Sequence, residues 1–141
     1  MEEIKGYVDH IVFQNKDNGY TVMDLDCDGE LYSCVGYAAS VSEGELLLIK
    51  AEMVINPTYG PQYEIREYEV LPPEDVKSIE RYLSSGAIKG IGAAMASRII
   101  RRFGEETFEI IEKEPERLAE IKGISERKAR EIASQMADKR D

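Results

Sequence analysis

The stretch Ile88-Lys89-Gly90-Ile91-Gly92 recurs 33 residues later as Ile121-Lys122-Gly123-Ile124-Ser125. In each copy an alanine follows four residues after the last position, at Ala96 and at Ala129. Each copy therefore predicts the end of one helix, a tight turn at the glycine, and a second helix whose small alanine faces inward. The fold of this half of the chain is thus a pair of helical hairpins.

This pattern is the helix-hairpin-helix signature, whose chemistry is that of the backbone. Gly90 and Gly123 allow the chain to turn sharply and to approach another molecule closely. The first N–H groups of the helix that follows lack internal partners, and with the helix dipole they form an anion site. Such a site suits the phosphates of a nucleic acid. A lysine before each glycine favours this interpretation over a repeat kept only for packing.

The cations and turn residues of the two hairpins are the predicted DNA-binding residues. In the first hairpin they are Lys89, Gly90, Gly92, Arg98 and Arg101. In the second hairpin they are Lys122, Gly123, Ser125, Arg127 and Lys128. Ser125 is expected to cap its helix, while Arg127 lies four residues before Glu131 and can pair with it. Ile91 is expected to anchor the first turn in the core.

Charge divides the chain of 141 residues, whose net charge is −10. Residues 1–73 carry 14 acids and 4 bases, whereas residues 74–141 carry 14 of each. The change falls at Pro72-Pro73, which ends a strand pattern and forces an extended link. We therefore expect two domains, residues 1–73 and residues 74–141, with different surfaces.

The first domain is predicted to be a small closed β-barrel of the oligonucleotide/oligosaccharide-binding (OB) type, so the fold class is α+β in two domains. The predicted strands are residues 4–13, 20–27, 31–37, 46–55 and 62–71. Asp28-Gly29 predicts a two-residue hairpin turn, which sets Cys27 opposite Glu30 and Cys34 opposite Met23. The two cysteines are then not partners, and we expect free thiols. Five helices are predicted in the second domain, at residues 74–85, 93–102, 105–113, 115–121 and 126–136.

The sequence lacks the residues that several classes of function require. It contains no phosphate-binding loop of the ATPase type, and its one histidine, His10, cannot serve a usual catalytic triad. We interpret Asp24, Asp26 and Asp28 as an acidic strand end rather than a metal site, so no cofactor is expected here. No apolar run is long enough to span a membrane, and the sequence begins without a secretory signal. A cytoplasmic protein is expected.

Aromatic residues on the barrel have two interpretations. They can stack on bases, as on other barrels of this kind. A domain with a net charge of −10 repels a nucleic acid, however, and the alternative is that most of them belong to the core. The acidic barrel would then dock against a protein, such as a basic helicase body.

The chain resembles the N-terminal region of the long RecD/TraA-type helicases that work without RecB and RecC. The motifs that carry the resemblance are Phe13-x-Asn15-x-x-Asn18-Gly19-Tyr20, Asn56-Pro57-x-Tyr59-Gly60-x-Gln62-Tyr63 and Tyr82-Leu83-x-Ser85-Gly86-x-Ile88. The resemblance implies an accessory region ahead of an ATP-driven core that unwinds DNA from a five-prime end in repair and recombination. It also implies ATP and Mg in the full-length parent, a helicase core of the same chain as partner, and a chain cut from a longer protein.

Departures from the hairpin pattern predict weak DNA binding. Ala93-Ala94 follows the first turn where binding hairpins often carry cations, and Ser125 replaces the last glycine of the second. We expect a dissociation constant of about 10⁻⁴ M for the chain alone at physiological salt. Two alternatives stay open: a RuvA-like binder of Holliday junctions, and a protein-docking module whose hairpins are only structural.

Overall fold

The computed structural model describes residues 1–140, which form two compact units. One runs from Met1 to Pro73 and the other begins at Glu74. Each unit encloses a hydrophobic core of its own. The first consists of strands and the second of helices, which confirms the predicted fold class of a barrel followed by a helical domain.

The five strands are β1 (Glu2–Gln14), β2 (Tyr20–Cys27), β3 (Glu30–Tyr37), β4 (Leu46–Asn56) and β5 (Gly60–Leu71). They close into a barrel in the order β1-β2-β3-β5-β4, in which only the β3–β5 pair is parallel. β1 pairs with β4 along its first half and with β2 along its second, and its register to β2 shifts twice. Such bulges bend a strand, so β1 can close the barrel.

The turn between β2 and β3 is formed by Asp28 and Gly29, with φ angles of 53° and 92°. Positive φ at both residues is typical of a two-residue hairpin turn. Cys27 therefore lies opposite Glu30, and Cys34 opposite Met23, as predicted. Both cysteines are free thiols.

Aliphatic side chains fill the barrel. Val8, Met23, Leu25, Leu47 and Ile49 are fully buried. Three of the eight aromatic residues of the barrel, Tyr32, Tyr63 and Tyr68, pack partly buried against this core. The alternative that most of the aromatic residues belong to the core is therefore not met. A small barrel is filled by the side chains of its alternate residues, which leaves large rings at its surface.

The second unit contains the helices α1 (Val76–Ser84), α2 (Ala93–Phe103), α3 (Thr107–Lys113) and α4 (Glu126–Arg140). Short 3₁₀ helices lie at Gly104–Glu106 and Pro115–Glu120. The predicted helix at residues 115–121 is thus a 3₁₀ helix, since Pro115 begins it and extended backbone at Ile121 ends it. Six residues make few of the longer hydrogen bonds of an α-helix.

Candidate nucleic-acid interface

The two hairpin turns have nearly the same backbone. Gly90 has a φ of 95° and Gly123 has a φ of 98°, in the region that side-chain-bearing residues rarely adopt. Ile91 and Ile124, which follow them, are both 5% exposed. The buried isoleucines anchor each turn, as predicted for Ile91, and the exposed glycines face solvent.

The helices that follow the turns begin differently. No side chain within the described residues caps α2, and its N-cap residue, Gly92, leaves open space around its α-carbon. At α4 the Ser125 hydroxyl accepts a hydrogen bond from the Lys128 N–H at 3.1 Å, as predicted. The first helical residue of α4, Glu126, also places an exposed carboxylate beside that turn. The first turn is therefore better suited to an anion. An anion there would compete with neither a side-chain cap nor a carboxylate for the first N–H groups of α2.

Each turn lies against the helix of the other hairpin. A methyl group at Gly90 would lie 3.4 Å from Lys128 Cε and 3.9 Å from its Nζ. A methyl group at Gly123 would lie 3.4 Å from Arg98 Nη1 and 3.8 Å from Met95 Cε. Met95 and Lys128 occupy equivalent positions of the repeat, so the contacts are reciprocal. The predicted cations Arg98 and Lys128 thus lie beside the turn of the opposite hairpin.

Side-chain hydrogen bonds also join the hairpins. The Gln135 side chain holds both backbone groups of Lys89: its Oε1 accepts from the N–H at 2.8 Å and its Nε2 donates to the carbonyl at 3.0 Å. Arg98 Nη1 donates to the Lys122 carbonyl at 3.5 Å. Sequence reasoning missed Gln135, because nothing in the repeat indicates a contact across 46 residues.

A shallow basic depression lies between α2 and the second turn. It is lined by Arg98, Arg101, Arg102, Glu120, Ile121 and Lys122. Arg102 contacts Glu120 at 2.5 Å, and this hydrogen bond lowers the pKa of that carboxyl. Arg101 donates to the neutral Ser97 hydroxyl at 3.4 Å. The structure therefore brings three predicted residues together here, Arg98, Arg101 and Lys122.

Arg127 is the predicted cation most engaged by a carboxylate. Its Nε lies 3.3 Å from Glu131 Oε1, one helical turn away, and both side chains are well exposed. This is the pair that the spacing predicted. The carboxylate of Glu131 offsets part of the positive charge of Arg127. Because exposed pairs of this kind are weak, the pair does not fix the Arg127 side chain in place.

The acidic residues of the barrel do not form a metal-binding cluster within the part of the chain that the structure describes. Among the described residues no three His, Cys, Asp or Glu side chains are placed to hold a metal ion, Asp24, Asp26 and Asp28 included. His10 is an exposed strand residue whose Nδ1 lies 3.2 Å from Glu43 Oε2. Within residues 1–140, no helix is long and apolar enough to cross a membrane.

Known protein families match both units. Residues 1–73 match the family of the OB-fold domain of the ATP-dependent DNA helicase YrrC, and residues 80–138 match the SAM-like helix-hairpin-helix tandem. The ATP-dependent RecD2 DNA helicase of Deinococcus radiodurans is 24% identical over 131 residues. The alignment covers 87% of this chain and 18% of that relative, so the chain spans less than a fifth of the relative's length.

Proposed function

Because the chain belongs to the YrrC family of ATP-dependent DNA helicases and fits the N-terminal region of the RecD type, we propose that it is a DNA-binding accessory region of such a helicase. Its domains are the barrel, residues 1–73, and the hairpin domain, residues 74–141. The parent protein unwinds DNA from a five-prime end in repair and recombination in the cytoplasm. ATP and Mg act in its helicase core, which is the chain's partner. The family match favours this function over the RuvA-like alternative.

The hairpins grip the phosphate backbone without reading sequence. The observation that carries this proposal is the first turn, where Gly90 exposes the backbone, α2 begins without a side-chain cap, and Lys128 lies alongside. Backbone N–H groups, a helix dipole and one cation together suit a phosphate oxygen. Lys89, Gly90, Gly92 and Lys128 form this site.

The second turn makes a weaker contact with the same strand. Ser125 already occupies one N–H of α4, and Glu126 opposes an anion. Its phosphate contacts come mainly from cations, with Arg98, Arg101 and Lys122 in the basic depression and Arg127 beyond them. Because only one turn is fully suited to an anion, we propose that the chain alone binds DNA with a dissociation constant of about 10⁻⁴ M.

A test at Gly92 separates binding from stability. Aspartate is a good N-cap, and the open space at Gly92 accepts a side chain. Gly92→Asp should therefore leave the helical domain at least as stable while placing a negative charge where the phosphate would lie. Gly92→Asn is the matched control, because it caps the helix without the charge.

The assay is fluorescence anisotropy with single-stranded, duplex and forked DNA over a range of salt concentrations. We expect Gly92→Asp to weaken binding roughly ten-fold, or about 1.4 kcal/mol, relative to Gly92→Asn. Arg98→Ala and Lys128→Ala should each reduce the salt slope by about one. If Gly92→Asp binds as tightly as Gly92→Asn, the first turn does not hold a phosphate and the proposal is wrong.

A further inference from the structure

An apolar groove with exposed aromatic side chains lies on the outer face of the barrel. It runs along β1, β2 and β3 between the β1–β2 loop and the β4–β5 loop, and we call it the aromatic groove. Its wall includes Val12, Phe13, Tyr20, Asn56, Tyr59 and Gln62. Tyr59 is 77% exposed and Phe13 is 52% exposed. Large apolar side chains gathered at a surface mark a site of interaction.

The two loops beside the aromatic groove are held in shape by asparagine side chains. Asn56 Oδ1 accepts from the N–H groups of Thr58 and Tyr59, at 2.8 and 3.0 Å. In the β1–β2 loop, Asn15 Oδ1 accepts from the Asp17 N–H at 2.8 Å. Tyr59 is therefore presented by a preformed loop, which lowers the entropy lost when a ligand binds.

Charge argues against a nucleic acid in the aromatic groove. None of its lining residues is charged, and the barrel domain carries 14 acids against 4 bases. Two of those bases, Lys50 and Arg66, already contact carboxylates of β4 and β5. Proteins that stack single strands on aromatic rings also need cations along the backbone, and the walls of this groove supply none.

The outer face of β2 changes from apolar to acidic along its length. Alternate residues of a strand share a face, so Tyr20 and Val22 at the groove are followed by Asp24 and Asp26. On β3, Ser33 lines the groove and pairs with Asp24, so the acidic end of this face begins next to the groove. A ligand lying along this face would meet aromatic and aliphatic side chains first and carboxylates next.

We propose that the aromatic groove docks an extended protein segment whose apolar residues are followed by Lys or Arg. The apolar residues lie against Phe13, Tyr20 and Tyr59, and the basic residues lie near Asp24 and Asp26. Aromatic grooves of this kind bind extended segments in other recognition domains. The proposal is independent of DNA binding by the hairpins, since it rests only on residues of the barrel.

The test is a selection from a displayed library of random peptides against the whole chain, followed by anisotropy titrations with the selected peptides. The variant Tyr59→Ser removes the most exposed ring of the aromatic groove. Met53→Ser is the matched control, because Met53 is 47% exposed on β4, does not line the groove and does not pair with β2. Circular dichroism checks that both variants fold, and oligothymidine is titrated in parallel.

We expect the selected peptides to combine apolar and basic residues. Their affinity should fall roughly ten-fold in Tyr59→Ser and change little in Met53→Ser. Binding of oligothymidine should be the same in both variants. The proposal is overturned if no peptide is enriched, if the enriched peptides are acidic, or if they bind Tyr59→Ser unchanged. A loss of oligothymidine affinity in Tyr59→Ser would also overturn it, in favour of a single-stranded DNA site. Either result leaves the Gly92 test of the hairpins unaffected.

Discussion

Replacing a glycine of the first turn by alanine should destabilise the hairpin domain more at Gly90 than at Gly92. Gly90 has a φ of 95°, so Gly90→Ala forces an alanine into the left-handed region at about 1–2 kcal/mol. Lys128 Cε, 3.4 Å from the new methyl group, belongs to a flexible side chain and can move away. Gly92 has a φ of −96° and open space around it, so Gly92→Ala introduces no such strain.

The pair of variants removes the main uncertainty of a glycine substitution. Alanine restricts the unfolded chain by about 0.4–1 kcal/mol at either position, so this contribution cancels in the comparison. Alanine is also a much poorer N-cap than glycine, which costs Gly92→Ala about 0.5–1 kcal/mol. Gly90→Ala should therefore be less stable than Gly92→Ala by about 0.5–1 kcal/mol. Gly123→Ala, with a φ of 98°, should resemble Gly90→Ala.

Urea unfolding followed by circular dichroism at 222 nm measures this difference, because every α-helix of the described residues lies in the hairpin domain. An unchanged dependence on urea would show that the unfolded state is comparable among the variants. Equal stabilities of Gly90→Ala and Gly92→Ala would refute the reasoning, since they would mean that the left-handed turn is not required for the fold.

Three further predictions concern contacts and burial. Gln135→Leu removes both hydrogen bonds to Lys89 and should lower the free energy of unfolding by about 1–2 kcal/mol in the same urea assay. Equal stability would show that these hydrogen bonds do not stabilise the first turn. Leu118 is fully buried, so Leu118→Ala should cost about 2–5 kcal/mol by the same measurement. Burial raises the pKa of the Cys27 thiol to about 11 and that of Cys34 to about 12, so iodoacetamide at pH 8 should label them by mass spectrometry only after unfolding. Thiols in the unfolded chain ionise near pH 8.5. The stability that the two protonated thiols contribute is therefore complete below that pH and should be lost as the pH rises through 11. Urea titrations at several pH values can follow this loss.

Local patterns were sufficient for much of the fold. Asp28-Gly29 predicted the register of β2 and β3, because a two-residue turn leaves one way to pair the strands. The family resemblance, inferred from short motifs, is confirmed by the match of residues 1–73. The segment at residues 115–121 was predicted less well, since its helical spacing does not distinguish a 3₁₀ turn from an α-helix.

Short segments of sequence predict where the chain turns and which residue anchors the first turn, because Gly90, Gly123 and Ile91 act through their own backbone and the nearest core. What surrounds the turns depends instead on how the two hairpins pack together. Gln135 reaches Lys89 across 46 residues, and the cations of each hairpin lie beside the other hairpin's turn. Likewise, the aromatic groove is formed by residues of all five strands and of the β4–β5 loop, which meet only when the barrel closes. Periodicity records which residues face inward on one element, whereas contacts between elements depend on packing that no single segment encodes.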